Sequence, residues 1–184
     1  MIVQITGGMG FGKSTLVKLY MESMASKNAV YDDEQSKPIG YSLPNGIYVF
    51  GHYEINRGGV DTLYRFQTRM EVLDSVFQTA ITQHDQTSSL FECIFMRYRH
   101  LKWIDKIRMR NIPYEVIALQ CTLEQSLKNS EQRNGSLTTQ MELEIRKRYL
   151  KSHDVTQMLL AEGVSVHLLE FSLAYLKLKE LLPI

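Results

Sequence analysis

The sequence predicts an α/β fold, a three-layer α/β/α arrangement around a five-stranded parallel sheet. Three observations lead there. Five short apolar runs alternate with segments of helical periodicity, the pattern of a sheet whose strands are buried on both faces. A glycine-rich turn, Gly7-Gly8-Met9-Gly10-Phe11-Gly12, lies between the first such run and the first helical segment. At 184 residues, 44% apolar and 22% charged, the chain has the make-up of an ordinary globular domain, and it is read as a single one spanning 1–184.

Met1-Ile2-Val3-Gln4-Ile5-Thr6 reads as the first buried strand, and residues 13–26 as the first helix. Asn28 to Gly46 is polar and broken by Pro38, Gly40, Pro44 and Gly46, so a short hairpin and a loop both stay open there. Ile47-Tyr48-Val49-Phe50 is a second strand. Leu63, Phe66, Met70, Leu73, Phe77 and Ala80 then recur at three- and four-residue steps, marking a helix over 61–83 with one buried face. A third strand follows at 90–95, a basic helix at 97–110, and a fourth strand at 114–119. A helix from Leu123 stops at Asn134-Gly135. The stretch 138–162 is helical with a break expected near Ser152, 164–169 is the fifth strand, and 173–182 the last helix.

Gly7, Gly12, Lys13 and Ser14 stand at the four fixed positions of G-x-x-x-x-G-K-[ST], and the strand before and helix after supply the context that pattern requires. Glycines let the backbone curl so that several N–H groups converge on phosphate oxygens. The helix that follows adds unpaired N–H groups and its positive dipole end. The expected nucleotide contacts are Gly8, Met9, Gly10, Phe11, Gly12, Lys13, Ser14 and Thr15, with Lys13 against the outer phosphates and Ser14 as a Mg²⁺ ligand. A plain Gly-rich turn before an amphipathic helix needs no Lys-Ser pair after its last glycine.

With these residues in place the chain resembles small P-loop kinases of the nucleoside monophosphate kinase type. The stretch from Val116 to Arg133 is similar to that family's fourth strand and following helix, which ends in a lid arginine. The resemblance implies ATP and Mg²⁺ as cofactors, a small lid, the strand at 90–95 beside the first, and the strand at 47–50 at the sheet edge. A narrower resemblance rests on Gly51-His52-Tyr53, Gly58-Gly59-Val60-Asp61-Thr62 and Leu90-Phe91-Glu92. It is to bacteriophage kinases that phosphorylate 5-hydroxymethyluridine in DNA. Cys93 stands where a glycine often follows the acidic residue.

Phosphoryl transfer needs a held acceptor, a place for its proton and positive charge on the moving group. Asp61 is read as a general base, or as the N-cap of the helix it precedes. Glu92 is one carboxylate in an apolar strand, which calls for a Mg²⁺ or Lys13 as partner, and it is read as an active-site residue, against a second candidate base or a structural ion pair. Arg133 is read as a cation stabilising transition-state charge, against an exposed helix-end arginine. Arg97 and Arg99 are candidates for acceptor or DNA phosphates, and His52 and Tyr53 for the acceptor pocket. The basic stretch from Arg97 to Arg110 is a candidate DNA contact, though such runs are usually solvated faces.

A net charge of +1 excludes a global basic field, so nucleic-acid contact has to come from local patches. Cys93 and Cys121 show no zinc or redox spacing and read as buried thiols. With no leader-like start and no apolar run of spanning length, a cytoplasmic protein without membrane contact is expected. Nothing in the residues fixes the oligomeric state.

Overall fold

The computed structural model describes residues 1–31, 37–54, 58–60, 63, 69–93 and 101–184. Among these, seven strands form one sheet in the order β2-β3-β4-β5-β1-β6-β7. The strands are β1 (Ile2–Thr6), β2 (Asn28–Tyr31), β3 (Pro38–Leu43), β4 (Ile47–Phe50), β5 (Ser88–Glu92), β6 (Tyr114–Leu119) and β7 (Ser165–Leu169). The helices are α1 (Lys13–Glu22), α2 (Arg69–Thr82), α3 (Leu101–Met109), α4 (Leu123–Asn134), α5 (Thr139–Ala161) and α6 (Phe171–Leu181).

The five strands read from the sequence are the parallel part: β4, β5, β1, β6 and β7 pair in parallel along the sheet. The count of five is corrected to seven, because β2 and β3 add an antiparallel hairpin beyond β4. That hairpin moves the strand at 47–50 from the expected edge into the sheet interior. The physical cause is the Pro44–Gly46 turn, where Asn45 (φ 62°) and Gly46 (φ 67°) both adopt the left-handed conformation that tight hairpins need. An Asn-Gly pair is a hairpin signal more than a chain breaker. The placement of 88–92 beside β1 agrees with expectation.

Alternation along the strands sorts the core into two clusters, one on each face of the sheet. Ile2, Phe91 and Val116 face α2, α3 and α5, through Phe77, Trp103, Ile104, Val155 and Leu159. Val3, Ile5, Leu90 and Ile117 face α1 and α6, through Leu16, Val17, Tyr20, Ala174 and Leu178. Gln4 is fully buried in β1, and its amide is satisfied at both ends. Tyr114 donates to Oε1 at 2.5 Å, and Nε2 donates to Cys93 Sγ at 3.0 Å.

The break expected near Ser152 does not occur. Helix α5 runs through, with Ser152 Oγ donating back to the Tyr149 carbonyl and its own carbonyl accepting from Thr156 Oγ1. Its N-cap Thr138 accepts from the Met141 N–H, as Thr122 does from Gln125 at the start of α4. Among the described residues no helix is long and apolar enough to cross a membrane.

Candidate active site

Every parallel strand delivers its carboxyl end to the same edge of the sheet. β1 runs into the glycine-rich loop, β4 into Gly51-His52-Tyr53, β5 ends on Glu92, β6 runs into Gln120-Cys121-Thr122 and β7 into Glu170-Phe171. The chain leaves β1 toward β4 on one side and continues from β6 to β7 on the other, so connections diverge between β1 and β6. A crevice forms at such a point in an open α/β sheet. Here it is a cleft of about 1150 Å³ lined by residues 10–15, Lys18, Gln120–Thr122, Gln125, Asn129, Gln132, Arg133, Tyr149, Glu170 and Phe171.

The loop owes its shape to its neighbours. Gly10 (φ 73°) and Gly12 (φ 87°) occupy the left-handed region, where a side chain is strained. A Cβ on Gly10 would also fall on the Ser126 carbonyl oxygen and the Ser130 hydroxyl. Phe11 is buried; its ring lies over Gly7 and Gly8 and meets Tyr149 edge-on at 5.8 Å. Phe11 therefore anchors the loop through its ring, and the residue also lines the cleft. Gly12 caps α1 with no side-chain acceptor, and the helix's own first turn holds no acid, so its leading N–H groups have no side-chain cap.

Lys13 is buried, and its ammonium reaches back across the loop to donate to the Gly8 carbonyl at 2.8 Å. Ser14 Oγ donates to Glu92 Oε1 at 2.5 Å and lies 3.4 Å from the Gly58 carbonyl oxygen. Glu92 is 4% exposed, and Gly59 packs so closely on its carboxylate that any Cβ there would collide with it. Three oxygen donors from three distant segments thus converge beside Lys13. They are hard ligands, of the kind Mg²⁺ takes when one or two carboxylates hold it and phosphates complete its shell. Among the described residues no group of three His, Cys, Asp or Glu is placed to hold a metal ion.

Asp61, Arg97 and Arg99 lie outside the described residues. The backbone just before Asp61 is placed, however, since Gly58 and Gly59 sit against Ser14 and Glu92. Arg133 is exposed, stands in the last turn of α4 and lines the cleft. His52 and Tyr53 are both buried and do not line it. Gly59 donates to the His52 carbonyl at 3.0 Å, and Tyr53 packs with Tyr41 at 6.2 Å between ring centres. Through these contacts they hold residues 58–60 against the chain that leaves β4. Cys121 is half-buried and lines the cleft, which differs from the fully buried thiol read from its apolar run; burial still pushes its pKa up.

The polar face of α4 was not legible as part of the site. Ser126 Oγ donates to the Met9 carbonyl at 2.6 Å and Asn129 Nδ2 to the Gly10 carbonyl at 2.7 Å. Serines and asparagines on a helix read as solvated positions, and what buries Ser126 and Ser130 is the glycine-rich loop, more than a hundred residues away in sequence.

Over 66 residues the chain is 33% identical to a 5-hmdU DNA kinase of Pseudomonas phage PaMx11. The chain has a kinase relative. The match takes in 34% of this chain and 35% of the relative, so the chain covers about a third of that protein's length. No family model matches the chain.

Proposed function

We propose that the protein is a Mg²⁺-dependent P-loop kinase that transfers the γ-phosphate of ATP to a hydroxyl of a nucleotide-like acceptor. The observation that carries this reading is a cleft lined by the glycine-rich loop, Lys13 and Ser14, with the buried Glu92 carboxylate hydrogen-bonded to Ser14. The relative's name supports the kinase class and favours the hydroxymethyl group of 5-hydroxymethyluracil in DNA as the acceptor.

In this reading the loop amides and the α1 N-terminus bind the triphosphate, and Lys13 exchanges its Gly8 carbonyl for phosphate oxygens. Ser14 and Glu92 would hold Mg²⁺, which when bound neutralises charge on the β- and γ-phosphates. The acceptor oxygen bonds to the γ-phosphorus as the bond to the β–γ bridging oxygen breaks, leaving ADP. The acceptor proton passes to a carboxylate. Asp61 takes that role, since the segment before it abuts Glu92 and Glu92 is committed to Ser14. Arg133, at the cleft, stabilises charge on the moving phosphoryl group. Arg97 and Arg99 hold acceptor phosphates.

The test is purified protein with γ-labelled ATP and Mg²⁺, offered plain DNA, DNA containing 5-hydroxymethyluracil, and nucleoside monophosphates. Label is expected on the hydroxymethylated DNA. Label on monophosphates alone would keep the kinase and retire the DNA acceptor; ATP hydrolysis with no labelled acceptor would retire the kinase.

A further inference from the structure

Helix α4 grips the glycine-rich loop through two of its side chains. Ser126 and Asn129, three residues apart on one helix face, hold the carbonyls of Met9 and Gly10. Gln125 Nε2 donates to Asn129 Oδ1 at 2.6 Å, which sets the amide so that its nitrogen faces the loop. The peptide bonds are trans, so each pinned carbonyl points opposite to the N–H that follows it. Fixing Met9 O and Gly10 O against α4 therefore turns the amides of Gly10 and Phe11 away from α4, and both residues line the cleft. Arg133 lies four residues beyond Asn129 and seven beyond Ser126, on the same stripe of the same helix, and also lines the cleft.

We infer that Ser126 and Asn129 are positioning residues that preset the Gly10 and Phe11 amides as an anion-binding pair and register them with Arg133. The inference rests on the phosphate-binding reading of the loop and adds how that site is held ready. A free loop of this glycine content would sample many peptide orientations, and each would have to be lost on binding. With two carbonyls tied to a helix, that ordering is done by folding, and the cation on the helix arrives in register with the amides.

The test compares the parent with Ser126→Ala and Asn129→Leu, titrating inorganic tripolyphosphate, ATP and adenosine, and following the Gly10 and Phe11 amide resonances. Each variant is expected to bind tripolyphosphate and ATP about 5- to 10-fold more weakly, the loss of one hydrogen bond's worth of preorganisation. Adenosine affinity should stay at the parent value, and the tripolyphosphate-induced shifts at Gly10 and Phe11 should shrink. Unchanged tripolyphosphate affinity in both variants would overturn the inference. So would equal loss for adenosine and tripolyphosphate with a lowered melting temperature, which marks a merely structural tie. Ser126→Ala removes one oxygen and decides the matter if Asn129→Leu does not fold. A parent that binds no tripolyphosphate would instead fail the phosphate reading itself.

Discussion

At the scale of single residues, the short contact between Ser14 and Glu92 concentrates the chemistry. A buried carboxylate costs several kcal/mol unless charge or hydrogen bonds compensate it, and here the Ser14 hydroxyl donates to it. Glu92→Gln keeps the shape and loses the charge. It is expected to raise the Mg²⁺ concentration needed for half-maximal turnover by about tenfold or more, whereas Asp61→Asn should lower kcat by about 10²-fold and leave the Mg²⁺ dependence alone. Steady-state kinetics across a Mg²⁺ series checks both, and a kcat loss in Glu92→Gln that saturating Mg²⁺ does not restore would move the base to Glu92. Cys121 offers a second readout. Its thiol lines the cleft with its pKa raised by burial, so the thiolate is scarcer than in a free cysteine at the same pH. Alkylation should be slow near neutrality, climb with pH past the ordinary thiol range, and fall when ATP fills the cleft. Peptide mapping by mass spectrometry measures it, with buried Cys93 as the unreactive internal control.

At the scale of elements, the loop and α4 form one unit. Gly10 is constrained twice, by φ 73° and by the α4 backbone where its Cβ would go. Gly135, the C-cap of α4, has φ 81° but open space around it. Gly135→Ala should cost about 1 kcal/mol, the strain alone. Gly10→Ala should cost more, about 2–4 kcal/mol, because the loop must also move off Ser126, and ATP affinity should fall with it. Denaturant melts of the two variants, with and without ATP, separate strain from displacement. The connection between α4 and α5 is short, residues 135–138.

At the scale of the molecule, a net charge of +1 gives little long-range attraction for DNA. The cations of α3 are engaged locally. Lys102 pairs with Asp74 at 3.1 Å, Lys102 and Lys106 lie 4.8 and 4.2 Å from the Trp103 ring centre, and Arg108 bonds the Glu162 carbonyl and pairs with Asp105. If hydroxymethylated DNA is the acceptor, its KM should rise with salt at a log–log slope of about 0.7 to 0.9 per contacted phosphate. Replacing Lys102, Lys106 and Arg108 together should leave that slope unchanged, since their contacts are within the protein. A flattened slope would put the DNA on α3.

The sequence by itself determined the five parallel strands, most helix ends and the Gly7–Ser14 pattern. Each depends on residues near one another in the chain, through apolar periodicity, the helix stop at Asn134-Gly135, and the backbone freedom of glycine. It left hairpin and loop both open between Asn28 and Gly46, although the Asn45-Gly46 turn that joins β3 to β4 is a local signal for antiparallel pairing. What only the tertiary structure decided is which distant groups meet. Glu92 reaches Ser14 because β5 pairs with β1 in a register that sets Glu92 beside Ile5. Gly59 must be glycine because Glu92 fills the space of its Cβ, and Ser126 and Asn129 matter because α4 lands on the loop. His52 and Tyr53 are buried, and the His52 carbonyl accepts from the distant Gly59 N–H, a contact of the same kind. Contacts of this kind carry no periodicity, since they arise from strand order and helix packing, which join residues that the chain keeps far apart.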